Sequence, residues 1–220
     1  MDIIEAIKTR HSVRAFKPDP VPRDVLEQVL TVSLRAPSWA NTQTWEFSVA
    51  GGNVMKELRE ALAARAFAQD DRTPVIAYPE WPSPYKERRK ENGIRLYQAL
   101  GIGREDEEKK LNWFVDMYRF FDAPNAIYIY TESGLSEWAI MNVGIMAQTI
   151  SLAALEYGLG TIMLAAGINY PYEVKRILKL PDSKQLLIAL AVGYPDPDAL
   201  ANKFRSNRAP LSEICTWHGM

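Results

Sequence analysis

Arg10-His11-Ser12-Val13-Arg14 follows a short amphipathic run, Ile3-Ile4-Glu5-Ala6-Ile7-Lys8-Thr9, and is answered one helix later by Pro37-Ser38-Trp39-Ala40-Asn41-Thr42-Gln43. Ile3, Ile4 and Ile7 fall on one helical face, and the chain has to leave that helix before Pro18. If the exit is extended, the side chains at 10, 12 and 14 point the same way, because strand side chains alternate. One face then offers two planar guanidinium forks and a hydroxyl, a set suited to a phosphate monoester. Taken alone, the same arginines would equally serve a helix end, where a cation complements the macrodipole.

The second cluster narrows the choice. Residues 23–36 have helical periodicity, with Leu26, Val29, Leu30, Ser33 and Leu34 on one side and Pro37 as the stop. Ser38, Asn41, Thr42 and Gln43 then precede the alternating Trp45, Phe47 and Val49 of a strand. Amide side chains carry both a donor and an acceptor, so they can pair with the edge of a pyrimidine-like ring. An ordinary helix-to-strand loop is polar too.

Together the two clusters resemble the nitroreductase family of FMN-dependent oxidoreductases. The likeness extends to the turn Tyr157-Gly158-Leu159-Gly160-Thr161, to Val192-Gly193-Tyr194-Pro195-Asp196 and to Asn202-Lys203-Phe204-Arg205, in the family's order and over nearly the whole chain. It implies an α+β fold: a central, mostly antiparallel sheet flanked by helices, in a homodimer whose active sites lie at the subunit interface. It implies FMN held by Arg10, His11, Ser12, Arg14, Pro37, Ser38, Trp39, Asn41, Gln43, Leu164, Ala165, Ala166, Gly167, Lys203 and Arg205. NAD(P)H is the implied reductant and a nitroaromatic or related small aromatic molecule the implied acceptor, each using one site in turn. No side chain is expected to be catalytic in the strict sense; Arg14 would stabilise negative charge at the pyrimidine side of the flavin. Dehalogenation, enoate reduction, flavin breakdown or a non-catalytic flavin-binding role would use the same cofactor. Three positions depart from the pattern: Thr44 stands where many relatives carry proline, Lys203 where arginine is also common, and Ala165-Ala166 where some have an acidic residue.

Composition is consistent with these expectations. A chain of 220 residues, 47% hydrophobic, suffices for one core, and nothing marks a second domain within 1–220. A formal charge of -1 provides no global field for nucleic acid. One cysteine, Cys215, and two histidines offer neither a disulfide framework nor a zinc site. Charges at Asp2, Glu5 and Lys8 occupy the place of a signal peptide's apolar run, so a cytoplasmic protein is expected. From Trp138 to Leu155, 18 residues carry no charge, the length of a membrane span. Asn142, Gln148, Thr149 and Ser151 interrupt the run and Gly144 weakens it, so a helix buried on most sides is predicted instead. In the resemblance this helix builds the dimer interface.

Helices are predicted near 2–10, 23–36, 54–67, 84–100, 105–119, 136–157 and 171–179, and strands near 45–50, 125–131, 160–164 and 185–192. The apolar run Leu186 to Val192 marks the last as a central strand. Residues 70–122 hold Pro74, Pro79, Pro82 and Pro84, then two charge-rich helices whose charges suit solvated faces. By resemblance they form a helical excursion over the active site, with Phe120 and Phe121 as substrate contacts. The tail from about 196 to 220 has little helical periodicity; by resemblance it wraps over the partner subunit, with Lys203 and Arg205 on the FMN phosphate. No Walker loop, dinucleotide fingerprint or Ser-His-Asp context is present.

Overall fold

The computed structural model describes residues 1–68 and 80–220. Strands β1 (Glu46–Gly51), β2 (Asn125–Glu132), β3 (Gly160–Leu164) and β4 (Lys184–Gly193) form one sheet in the spatial order β1-β2-β4-β3. All three pairings are antiparallel. The unbroken apolar run falls in β4, which has a strand on each side, as a run buried on both faces requires. Alternation along β2 splits the core: Ala126, Tyr128 and Tyr130 face one layer, Ile127 and Ile129 the other.

Among the described residues the helices are α1 (Ile3–Thr9), α2 (Arg23–Ser33), α3 (Gly52–Phe67), α4 (Tyr85–Ala99), α5 (Glu107–Tyr118), α6 (Glu137–Glu156), α7 (Pro171–Leu178), α8 (Leu200–Lys203) and α9 (Leu211–Ile214). Met55, Leu58 and Leu62 of α3, Tyr118 of α5 and Val174 of α7 pack on one face of the sheet. Leu26 and Val29 of α2 with Val143, Met146 and Ile150 of α6 cover the other. The excursion divides: α5 packs on α3, and α4 lies against α8 of the tail. Its opening stretch, Pro74 and Pro79 included, lies outside the described residues.

Three expectations change. Helix α2 ends at Ser33, because Pro37 disfavours helical geometry before it and the chain tightens into i→i+3 turns, Arg35 N to Val32 O (3.2 Å) and Ala36 N to Ser33 O (2.9 Å). Leu34, assigned to the apolar side, is exposed. Helix α6 is not buried on most sides: Trp138, Met141 and Gln148 are exposed, and Ile145, Leu152 and Leu155 are half-buried, all on the side opposite the sheet. By length and composition this helix could cross a membrane, yet its other face, including Asn142 and Ser151, is buried within the chain. The tail, which lacked periodicity, contains the one-turn helices α8 and α9.

Segment 10–16 crosses β3 at Gly160, where a Cβ would lie 2.5 Å from Val13 Cγ2 and 2.8 Å from Pro195 Cγ. Gly160→Ala is therefore expected to destabilise the fold by about 1–3 kcal/mol. Gly93→Ala in α4, where an added methyl group meets nothing within 4 Å, is expected to add up to about 1 kcal/mol. Chemical denaturation of the two variants checks both signs.

Candidate functional site

The exit from α1 lies along the free edge of β3. Ser12 forms a parallel bridge with Thr161, and Val13 N donates to Thr161 O at 3.0 Å. Val13 is 2% exposed, so Ser12 and Arg14 project to the opposite side, as extended backbone dictates. Buried Asn202 then fastens the tail to this segment. Its Oδ1 accepts from Arg14 N (2.7 Å), and its Nδ2 donates to Ala15 O (2.8 Å) and Asp196 O (2.7 Å). This clasp carries Lys203 and Arg205 to the neighbourhood of Arg10, His11, Ser12 and Arg14.

The resulting group is strongly cationic. Burial pushes the Arg14 guanidinium below its ordinary pKa. Arg10 is lowered by burial and then by Arg208. His11 is lowered chiefly by burial; its Nδ1 donates to Thr9 O at 2.9 Å, which partly offsets this, while Arg205, Arg10 and Arg14 push the same way as burial. Arg205 Nη1 donates to the carbonyls of Asn202 (2.6 Å) and Phe204 (2.9 Å), and Arg14 Nη1 to Ser12 O (3.3 Å). No carboxylate of the described residues pairs with Arg10, Arg14, Lys203, Arg205 or Arg208. Like charges gathered without a counter-charge favour an anion between them.

The 37–43 loop is built separately. Ala40, Asn41 and Gln43 adopt positive φ (48°, 59° and 46°), a left-handed geometry unusual without glycine. Ser38 Oγ accepts from Gln43 N (3.0 Å), and Thr42 Oγ1 donates to Trp39 O (2.8 Å). Asn142 of α6 secures the loop: its Oδ1 accepts from Trp39 N (2.9 Å) and its Nδ2 donates to Thr44 Oγ1 (3.2 Å). Thr44 thus supplies an acceptor where proline would supply none. Trp39 also stacks on Trp138, ring centroids 6.1 Å apart and planes at 21°. Pro37, Trp39, Asn41 and Gln43 are exposed and Ser38 is half-buried.

At the other end of β3, Leu164 leads into a turn closed by Ile168 N donating to Ala165 O at 3.0 Å. Ala165 is exposed; Leu164, Ala166 and Gly167 are buried. A Cβ on Gly167 would lie 2.7 Å from Ala189 Cβ and 3.0 Å from the Phe120 ring, so this turn rests on Phe120. Phe120 and Phe121 are 0% and 7% exposed, packed against Tyr128 and Trp113 respectively. Their expected role as substrate contacts gives way to one in the core: positive φ at 120–122 turns the rings inward.

The structure therefore brings Arg10, His11, Arg14 and Arg205 together at the start of β3, with Ser12 in the same segment and Lys203 exposed on the tail next to Asn202. Leu164 to Gly167 follow along the same edge strand, roughly 10 Å away at strand rise. It does not bring the 37–43 loop to them within one chain. Asn142, which holds that loop, and Glu156, whose carboxylate pairs with the Met1 amine at 2.7 Å, are separated by about 21 Å of α6 at helical rise. Sequence reasoning missed Asn142 and Asn202 as positioning residues; the only signal was an isolated amide, in an apolar helix and in a short basic tail.

A family model described as the nitroreductase family matches residues 7–194. Nitroreductase NfnB of Mycolicibacterium smegmatis is 34% identical over 209 residues, covering 94% of this chain and 88% of that protein. A 4-nitrobenzoate reductase of Pseudomonas putida is 27% identical over 208 residues, covering 94% and 91%. Among solved structures, the FMN and NADPH-dependent nitroreductase NfnB from sphigopyxis sp. strain HMH superposes with a TM-score of 0.96 at 30% identity, covering 100% of both chains.

The electrostatics of His11 can be read directly by NMR titration. Its midpoint is expected below the ordinary value of about 6.5 in the flavin-free protein, and it should rise when inorganic phosphate neutralises the arginines. Because the folded-state value is the lower one, the stability His11 contributes is present above about pH 6.5 and is lost as pH falls through the folded midpoint.

Proposed function

The chain belongs to the nitroreductase family, and from that premise we propose that it is an FMN-dependent NAD(P)H oxidoreductase that reduces nitroaromatic or related electron-poor acceptors. The observation that carries this reading is the cluster of Arg10, Arg14 and Arg205 around His11 with no carboxylate of the described residues paired to it. A phosphate dianion fits that cluster, since charge-assisted hydrogen bonds to guanidinium are the strongest polar contacts a surface cleft offers. FMN, when bound, would supply the redox chemistry, hydride transfer from NAD(P)H to the acceptor, with both substrates using one site in turn.

The protein's own part is to bind, orient and polarise. Arg10, Ser12, Lys203 and Arg205 hold the phosphate, with His11 beside them as a neutral neighbour. Arg14, one alternation further along, would stabilise negative charge at the pyrimidine side of the ring. Leu164, Ala165, Ala166 and Gly167 would offer backbone groups to the ring, and the turn's footing on Phe120 would keep them in place.

The amides of the 37–43 loop come from a second copy. Trp138, Met141, Ile145, Gln148, Leu152 and Leu155 recur at alternating spacings of three and four along the open side of α6, the seam of a helix–helix contact. Exposed Ile3, Ile4 and Ile7 of α1 extend it. Antiparallel pairing of two α6 helices about a two-fold axis sets the 37–43 loop of one copy beside segment 10–14 of the other. The tail beyond Arg205, with Leu211, Ile214 and Trp217 exposed, wraps over the same partner. In this reading residues 1–220 act as one domain of a cytoplasmic homodimer that needs neither membrane nor nucleic acid, and the 70–122 excursion borders the site.

Anaerobic addition of NADPH to the purified flavoprotein is expected to bleach the flavin within a turnover time, and a nitroarene should restore the colour; persistent absorbance would reject the reductase. Replacing Arg10 and Arg205 together with alanine should weaken FMN binding by at least about a hundredfold while circular dichroism stays unchanged, since each charge-assisted contact contributes about 1.5–3 kcal/mol.

A further inference from the structure

Tyr118 ends α5, the second helix of the excursion, and is buried. Packing alone holds its ring, with the Phe114 centroid 5.1 Å away and the Tyr170 centroid 5.7 Å away. The hydroxyl reaches further. It accepts a hydrogen bond from Asn169 Nδ2 at 3.1 Å. Asn169 is itself buried and closes the turn after β3: its backbone N–H donates to Ala166 O at 3.3 Å, next to the bond from Ile168 N to Ala165 O at 3.0 Å. The far end of that turn is thus tied to α5.

The same short segment supports the middle of the turn. Phe120 lies against Gly167, where an added Cβ would come within 3.0 Å of its ring. Its placement goes with left-handed backbone at Phe120, Phe121 and Asp122 (φ 58°, 50° and 57°), which is costly for residues that carry a Cβ. Arg59 of α3 holds the end of this run, its Nη2 donating to Ala123 O at 2.5 Å. Strain of this kind persists only where the surroundings over-determine it. Tyr128 is the contrast: its ring centroid lies 6.1 Å from that of Phe120, yet its hydroxyl is buried without a partner among the described residues.

We propose that Tyr118 is a positioning residue: through Asn169 its hydroxyl fixes the turn at 165–167 against the flavin ring, so that α5 of the excursion governs the rate of hydride transfer by way of that turn. The inference rests on the reading above in which this turn faces the ring. A loosened turn would cost orientation rather than affinity, because the phosphate cluster carries the binding while the ring carries the transfer.

Two measurements on Tyr118→Phe, which keeps the ring, test this, with Tyr128→Phe as the matched loss of a hydroxyl that holds nothing. In the flavin-free Tyr118→Phe protein the amides of Ile168 and Asn169 are expected to exchange hydrogen about tenfold faster while those of β4 keep their rates, as release of one local hydrogen bond requires. In the holoenzyme, anaerobic bleaching of the flavin by saturating NADPH should slow by about tenfold, with the affinity for FMN unchanged. Tyr128→Phe should alter neither. Exchange at 168 and 169 that stays the same, or that rises together with β4 or equally in Tyr128→Phe, would overturn the tie between Tyr118 and the turn. Faster exchange beside an unchanged bleaching rate would overturn its bearing on the ring. Failure of NADPH to bleach the unaltered flavoprotein is a separate result: it removes the reductase reading, and the exchange rates alone then decide whether Tyr118 fixes the turn.

Discussion

Arg10, Arg14 and Arg205 press on one imidazole, and the first two are partly withdrawn from water. Such a group repels itself, and burial removes much of the solvent that would screen it. It persists because the backbone holds it: the exit from α1 is fixed to the edge of β3 through Thr161, and Asn202 locks the tail onto that exit with two hydrogen bonds, to Arg14 and Ala15. An anion between the arginines would offset that repulsion.

Helix α6 joins this half of the site to the other. Its inner face closes the core against β2, β4 and α2, while Asn142 reaches back to hold the 37–43 loop at the opposite end from the arginines. The 37–43 loop and the arginine group therefore lie near opposite ends of one helix. The outer face of that helix leaves Trp138, Met141, Ile145, Leu152 and Leu155 exposed or half-buried, and on it the proposed second copy would pack.

Much of this was legible in the sequence. The apolar run of β4 located the central strand and the periodicity of α2 one layer, while the stretches Arg10 to Arg14 and Lys203 to Arg205, the latter named by resemblance, lie near one another in the fold. What was not legible depended on distant contacts. Asn202 gains its meaning from Arg14 and Ala15, nearly the whole chain away, and Asn142 from Thr44. The burial of Phe120 and Phe121 turns on three successive left-handed residues that no glycine announces. The partly uncovered face of α6 eluded composition because an uncharged apolar helix reads the same whether one face or every face is covered.

The central claim is that the phosphate of the cofactor is the anion this chain is built around. Titration of the flavin-free protein with FMN and with riboflavin, which share a ring and differ by that phosphate, tests it most directly. FMN is predicted to bind at least about a hundredfold more tightly, with the gap narrowing as salt is raised. Equal affinity for the two flavins, insensitive to salt, would contradict the account.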